Sequence, residues 1–209
     1  PNAAGWHNAP VTVTFVGQDD LTDVTVSEPV VVSTPGADQV VTGTATDAAG
    51  HTAQIDVTLH LDFKSPSVTI DSPVANQEGT DQLVTSVDQV TFEGTFGDDT
   101  LSGFAHGRVI SSKHASGAEQ EEPGAYAVDI TLEEGVNTVT VSAHDVAGNA
   151  STASLCVIRD SQPPQVFIQS PADGHAVAEE TVDVSGLAHD LVVGEVTADE
   201  VSVTLRTSP

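Results

Sequence analysis

Two stretches of 32 residues repeat one pattern in this chain. The first runs from residue 42 to residue 73 and reads TGTATDAAGHTAQIDVTLHLDFKSPSVTIDSP. The second runs from residue 140 to residue 171 and reads TVSAHDVAGNASTASLCVIRDSQPPQVFIQSP. The two align without a gap at an offset of 98 residues, so that Asp62 falls on Asp160. Solenoid repeats have periods of roughly 20 to 50 residues, so this longer period predicts small domains in tandem.

Apolar and polar residues alternate along many short segments, which is the pattern of half-buried β-strands. The alternation runs through residues 11–15, 55–61, 90–92, 126–132 and 139–143. Strand signals recur about every 8 to 12 residues, the spacing typical of an all-β sandwich. No stretch has a convincing helical period. We therefore predict an all-β fold.

Proline-bearing segments follow two of the predicted strands and stop them from continuing. They are residues 62–66 and 160–164, which we interpret as linkers between domains. The linkers divide the chain into three predicted units, which are residues 1–62, 63–160 and 161–209.

The third predicted unit holds only half of the pattern. Its strand candidates are residues 166–169, 181–186 and 201–205. Half a sandwich has an open edge and an uncovered apolar face. Either the unit is truncated, or strands of another chain complete it and produce a homopolymer. The lack of methionine and the start at Pro1 indicate a piece cut from a longer protein.

The chain is strongly acidic, with 31 Asp and Glu residues against 5 Lys and Arg and a formal net charge of −26. Such a surface repels nucleic acid and anionic lipid head groups, so we exclude both as partners. No window of about 18 apolar residues is present, and we expect no membrane insertion. The acidity indicates either adaptation to salty surroundings or carboxylates that bind calcium. Cys156 is the only cysteine, which excludes an intrachain disulfide.

The sequence carries no signature of an enzyme. It has no nucleophile elbow, no phosphate-binding glycine loop with lysine, no zinc-type histidine pair and no regular calcium loop. The eight histidines are scattered without ligand spacing. Glu133 and Glu134 invite comparison with the acid pair of glycosidases, but they lie in a turn, where adjacent acids are solvated. We therefore predict no catalytic activity.

The repeated pattern A-x-D-x-A-G-[NH], followed by an alternating strand, Asp, Pro and V-x-I-x-S-P, resembles the bacterial immunoglobulin-like repeats of large surface and secreted proteins. Residues 3–15 and 36–53 resemble the short type of that group. Residues 132–151, LEEGVNTVTVSAHDVAGNAS, resemble the longer type, which also occurs beside polysaccharide-degrading enzymes. The resemblance implies tandem immunoglobulin-like β-sandwiches, the last one incomplete, at the bacterial cell surface or outside the cell. His51 stands where such repeats usually carry Asn.

Acidic residues fall in loops that an immunoglobulin-like sandwich brings to one pole. The N-terminus and the loops after the second and penultimate strands share that pole, and the C-terminus lies at the other. A linker that enters a unit therefore passes oxygen donors suited to Ca²⁺, which takes about 6 to 8 of them. The expected ligands are Asp62, Asp98, Asp99, Asp145 and Asn149 at the first junction, and Asp160 and Asp190 at the second. The alternative is that Asp in a D-x-A-G turn caps its own backbone.

These observations support three hypotheses of function. The first is a non-catalytic stalk or adhesive segment, with neighbouring immunoglobulin-like domains of the parent chain as partners and cell-surface or glycan ligands at its tip. The second is an accessory module of a polysaccharide-active enzyme, although Trp6 and Tyr126 are the only Trp and Tyr, and Tyr126 fits a core alternation. The third is a filament subunit assembled by strand donation.

Overall fold

The computed structural model describes residues 1–76, 81–98, 101–113, 117–171 and 184–189. Within these ranges the regular elements are all β-strands, and sheets stack into sandwiches. The predicted all-β fold class of tandem sandwiches is confirmed. The described part of the chain has no helix with the length and apolar character needed to cross a membrane.

The first group of strands lies between residues 6 and 61. Its strands are β1 (Trp6–His7), β2 (Val11–Val13), β3 (Val24–Val26), β4 (Val30–Val32), β5 (Gly36–Asp47) and β6 (Thr52–Leu61). One sheet has the order β1-β6-β5-β3, and β2 pairs with β4 in the other. The buried core of this group is small and consists of Val32, Val41, Leu59 and Leu61.

The second group of strands lies between residues 67 and 159. Its strands are β7 (Ser67–Val68), β8 (Gln82–Thr85), β9 (Gln89–Gly97), β10 (Phe104–Ser111), β11 (Gly117–Gln120), β12 (Gly124–Thr131), β13 (Gly135–Asp145) and β14 (Ala150–Arg159). A five-stranded sheet has the order β11-β10-β13-β14-β8, and a three-stranded sheet has the order β12-β9-β7. The core is larger and includes Phe92, Phe96, Val109, Tyr126, Ile130, Leu132, Val139, Val141, Ala143, Leu155 and Val157.

The third group consists of β15 (Gln165–Ser170) and β16 (Ser185–His189), which pair antiparallel. These strands contain the predicted candidate 166–169 and the end of 181–186. Residues 181–183 and the candidate 201–205 lie outside the described residues.

Burial follows the predicted period of two. In β13, Val139, Val141 and Ala143 are completely buried, and the residues between them are not. Tyr126 lies in the core, as its alternation predicts. Cys156 is half-buried and lies between the buried Leu155 and Val157 of β14, so it faces away from them.

The sequence repeat is also a structural repeat. The hairpins β5–β6 and β13–β14 correspond, and a short strand pairs in parallel with the end of each hairpin, β1 with β6 and β8 with β14. The peptide bonds Ser72–Pro73 and Ser170–Pro171, which occupy equivalent positions, are both cis. Among the described residues no strand of one group pairs with a strand of another, while independent folding of units 1–62, 63–160 and 161–209 stays a prediction.

The first strand lies beside the C-terminal end of the hairpin β5–β6. Trp6 pairs with His60 and His7 with Leu61, so β1 lies at the C-terminal end of β6. The indole of Trp6 packs against the His60 ring, with 5.4 Å between their centroids. The segment therefore begins beside the junction with the second group.

Candidate functional site

The turn between β13 and β14 is held by the side chain of Asp145. Its Oδ1 accepts a hydrogen bond from the Asn149 backbone N at 2.7 Å, and its Oδ2 accepts one from Asn149 Nδ2 at 2.7 Å. Gly148 has a φ of +93°, a conformation that costs glycine little. Asp145 is 3% exposed, so both carboxylate oxygens are buried and hydrogen-bonded. Asp145 therefore caps its own turn, which is the expected alternative to a role as a calcium ligand.

The equivalent turn of the first group is built in the same way. Asp47 Oδ1 accepts hydrogen bonds from the backbone N of Ala49 at 2.9 Å and of His51 at 2.8 Å. His51 Nδ1 lies 2.9 Å from Asp47 Oδ2. The imidazole thus takes the place of the Asn149 amide. The hydrogen bonds from His51 hold the pKa of Asp47 below its ordinary value.

The linker residue Asp62 is completely buried and connects both groups of strands. Its backbone N donates to the His7 carbonyl of the first group at 2.9 Å. Its Oδ2 accepts from the Ser102 backbone N at 3.1 Å, and its carbonyl accepts from Asn149 Nδ2 at 2.9 Å, both in the second group. Its Oδ1 accepts from the Lys64 backbone N at 3.0 Å, which turns the linker. Asp62, Asp145 and Asn149 therefore lie together at the first junction.

The other expected calcium ligands have different positions. Asp98 follows β9 directly, in the loop that also contains Ser102. Asp160 lies in the second linker, where its Oδ1 accepts from the Gln162 backbone N at 3.0 Å. This repeats the turn that Asp62 makes with Lys64. Asp99 and Asp190 lie outside the described residues.

No group of three or more His, Cys, Asp and Glu side chains is placed to hold a metal ion within the described ranges. The carboxylates of Asp62 and Asp145 are hard oxygen donors of the kind that calcium prefers. Each of their oxygens already accepts a hydrogen bond from N–H. Asn149 directs its NH₂ group toward both aspartates.

The first residues of the chain add a contact that the sequence did not reveal. Asn2 Nδ2 donates to the Val146 carbonyl in the β13–β14 turn at 2.6 Å. A cleft of about 430 Å³ lies beside this contact, and Trp6, His7, Asn8 and Gly148 are among its lining residues. The junction thus includes the chain start and the linker. No motif signalled this contact, because it depends on β1 pairing with the end of β6.

Glu134 holds the second linker by hydrogen bonds, and the sequence did not predict this role. Its carboxylate accepts hydrogen bonds from the backbone N and Oγ of Ser161, both at 2.9 Å, and lies 3.3 Å from Arg159 Nη1. The Ser161 hydrogen bonds and the Arg159 guanidinium hold the pKa of Glu134 below its ordinary value of 4.5. The signal was available, since a β13–β14 hairpin that starts at the D-x-A-G turn brings Gly135 opposite Arg159.

Residues 66–161 match the family described as Glucodextranase, domain B. The match covers the second group of strands and less than half of the 209 residues. The resemblance of this part to the longer type of immunoglobulin-like repeat is confirmed.

The chain is also similar to Bacillopeptidase F of Bacillus subtilis (strain 168). The two are 26% identical over 156 residues, which is 74% of this chain. The chain spans 10% of the length of that relative.

Two solved structures resemble the chain more distantly. The fibronectin(III)-like modules of Clostridium thermocellum CbhA have 10% sequence identity and a TM-score of 0.39, over 75% of this chain and 88% of that one. A 1.5-MDa bacterial ice-binding adhesin, studied for its host cell surface retention, has 18% identity and a TM-score of 0.36, over 81% of this chain and 63% of that one.

Proposed function

We propose that this segment is a non-catalytic spacer of a bacterial surface or secreted protein, in which hydrogen-bonded linkers limit bending between β-sandwiches. The observation that carries the proposal is the burial of Asp62, whose hydrogen bonds reach both flanking groups. A freely bending linker keeps its polar groups in water. The partners of the proposed spacer are then neighbouring immunoglobulin-like domains of the parent chain, and its location is extracellular or at the cell surface.

The two linkers differ in how firmly they are held. Asp160 is only half-buried, whereas Asp62 is completely buried. The Glu134 carboxylate that binds Ser161 is 37% exposed, and an exposed charged contact contributes little to stability. We therefore propose that the first junction is stiff and the second bends more.

Distances between spin labels test the stiffness of the first junction. The labels are placed on cysteines at the exposed Val40 and Ile110, in a Cys156→Ser background. We expect a narrow distance distribution that broadens with Asp62→Ala, since the junction loses its central acceptor. Asp56→Ala, an equal change of charge at an exposed strand position, is the control. A narrow distribution in Asp62→Ala, with circular dichroism unchanged, contradicts the proposal.

Calcium at the first junction is a second part of the proposal. It is supported by the proximity of Asp62 and Asp145 and by the net charge of −26, which a cation relieves. A ligand that binds only the folded state raises the melting temperature of the protein. We expect Ca²⁺ to raise the melting temperature and a chelator to reverse the rise. Asp145→Asn should abolish the rise. Equal ionic strength in NaCl is the control, and an unchanged melting curve removes calcium from the proposal.

Glycan binding is an alternative function favoured by one observation. The cleft at the first junction combines the indole of Trp6 with the amides of Asn2 and Asn8, and such a combination suits the apolar face and hydroxyls of a sugar. Glycan-array binding that Trp6→Ala abolishes would favour an accessory module of a polysaccharide-active enzyme. Binding that Trp6→Ala leaves unchanged would exclude this cleft.

A filament built by strand donation through the third unit is the remaining alternative. Its support is that Val166, Phe167, Ile168 and Leu187 are all more than half exposed. Sedimentation velocity distinguishes the outcomes, since a donated strand produces polymers and a spacer sediments as an elongated monomer. Monomers at every concentration would exclude the filament.

A further inference from the structure

We propose that His106 and His144 bind a divalent transition-metal ion of the Zn²⁺ type on the outer face of the five-stranded sheet. The two residues lie directly opposite each other on β10 and β13. Their rings stack, with 4.7 Å between the centroids and 16° between the planes. Among the described residues they are the only histidines whose rings contact each other. The sheet thus brings together two imidazoles that are far apart in the sequence.

An irregularity in β10 puts His106 in this position. Phe104 pairs with Asp145, and the register then shifts so that His106 pairs with His144. Phe104 packs against the core cluster, and in a regular strand a residue two positions later points to the same side. The extra residue, Ala105, turns His106 to the opposite face instead, since a β-bulge re-aims the side chains that follow it.

The next pair along the two strands shows which face the histidines occupy. It consists of Gly107 and Ala143. Ala143 is completely buried, and a Cβ on Gly107 would lie 2.7 Å from the ring of Phe96, so this pair faces the core. His106 and His144 are the adjacent residues and are half-buried. They therefore point away from the core, where an ion can reach them from solvent.

The side chains around the histidine pair leave room for an ion. His144 lies opposite Ala150 of β14, whose side chain is a single methyl group. Arg108 is a cation on the same face of β10, but it lies opposite Glu119 of β11, and opposite charges in such a cross-strand pair offset each other. The net charge of −26 attracts cations to the protein as a whole.

The chemistry of two imidazoles suits Zn²⁺ or Cu²⁺ and does not suit Ca²⁺, which takes oxygen ligands. Residues directly opposite each other in antiparallel strands have Cβ atoms about 5 Å apart. Two nitrogens bound to one tetrahedral Zn²⁺ lie about 3.3 Å apart, since each Zn–N distance is about 2.0 to 2.1 Å. Rotation about χ2, a broad torsion in histidine, separates the stacked rings and turns a nitrogen of each toward one point. Water occupies the remaining positions of the ion.

Calorimetric titration of the whole chain with ZnCl₂ tests the site, in an excess of CaCl₂ that occupies the carboxylates. We expect one Zn²⁺ per chain and shifted ring resonances of both His106 and His144 in ¹⁵N NMR spectra. His106→Gln and His144→Gln should each weaken binding at least about tenfold, which is about 1.4 kcal/mol, because the second imidazole binds an ion that the first already holds. The control is His189→Gln, which removes an exposed histidine of β16 and should leave the affinity unchanged.

Three results would overturn the proposal. The first is Zn²⁺ binding that excess Ca²⁺ abolishes, since carboxylates would then be the ligands. The second is an affinity that His106→Gln and His144→Gln leave unchanged, or that His189→Gln lowers equally. The third is a shift of only one of the two rings, which is measured on the unmodified protein and does not depend on the folding of any variant.

Discussion

At the scale of single residues, four aspartates in the turns and linkers act as acceptors for backbone N–H groups. Asp47, Asp145, Asp62 and Asp160 each accept at least one such bond within the next four residues. Short polar side chains favour these local bonds. Replacement of Asn149 by His51 in the first turn is tolerated because the imidazole Nδ1 reaches the same carboxylate oxygen.

Asn149 supports both its own turn and the first junction, and its loss should destabilise both. In Asn149→Ala, the buried Asp145 Oδ2 and the Asp62 carbonyl lose a donor. We expect a decrease of about 1 to 3 kcal/mol in the free energy of unfolding, measured by urea denaturation. Thr152→Ala, at an exposed position of β14, should change it little. Equal effects of the two substitutions would contradict the role of Asn149.

The hydrogen bonds between Glu134 and the second linker should weaken at low pH. Its pKa is lower in the folded protein than the ordinary 4.5, so its stabilising effect is complete above about pH 4.5 and is lost as the pH falls through the folded value. The Ser161 amide resonance should report this change with a midpoint below 4.5. Glu134→Gln should remove that titration. A midpoint at or above 4.5 would show that the contact does not form in solution.

At the scale of elements, the edge segment of the second group depends on Tyr126. Its hydroxyl donates to the Thr69 carbonyl at 2.7 Å. A Cβ on Gly94 would lie 2.2 Å from the same carbonyl oxygen, so only glycine permits this approach. The pairing of residues 67–72 with β9 is thus fixed by one hydroxyl and one absent side chain.

Tyr126→Phe should lower stability by about 1 kcal/mol, because one hydrogen bond is lost. Burial raises the pKa of Tyr126 from 10.0 to about 12. The folded protein therefore keeps a proton that the unfolded chain has already lost, and stability decreases as the pH rises from about 10 toward 12. The Phe variant should lack this part of the alkaline decrease. Denaturation at pH 8 to 12 measures this decrease. Parallel curves of stability against pH for the unmodified protein and for Tyr126→Phe would contradict the raised pKa of Tyr126.

At the scale of the whole molecule, the two sandwiches differ in the size of their cores. Among the described residues, the buried cluster of the first sandwich has four apolar residues and that of the second has eleven. Buried apolar area is the main source of stability. The first unit should therefore depend more on its contacts at the junction.

Calorimetry should resolve two transitions, with the first unit unfolding at the lower temperature. Val41→Ala and Val139→Ala change equivalent positions of the hairpins β5–β6 and β13–β14, and each should cost about 2 kcal/mol. Val41→Ala should shift only the lower transition, and Val139→Ala should shift only the upper one. A single transition that both variants shift would show that the first two units unfold together, which would contradict the predicted division at residue 62.

The sequence by itself determined the class of fold, the positions of the hairpins and linkers, and the turns at Asp47 and Asp145. These depend on local rules, namely the period of two in a strand and the hydrogen bonds of a short acid with its own turn. The tertiary structure decided how the turns, linkers and edges meet. Asn2 reaches Val146 and Glu134 reaches Ser161 only because distant strands pair in a particular register. Such contacts join residues that are 27 to 144 positions apart, over which no local pattern extends.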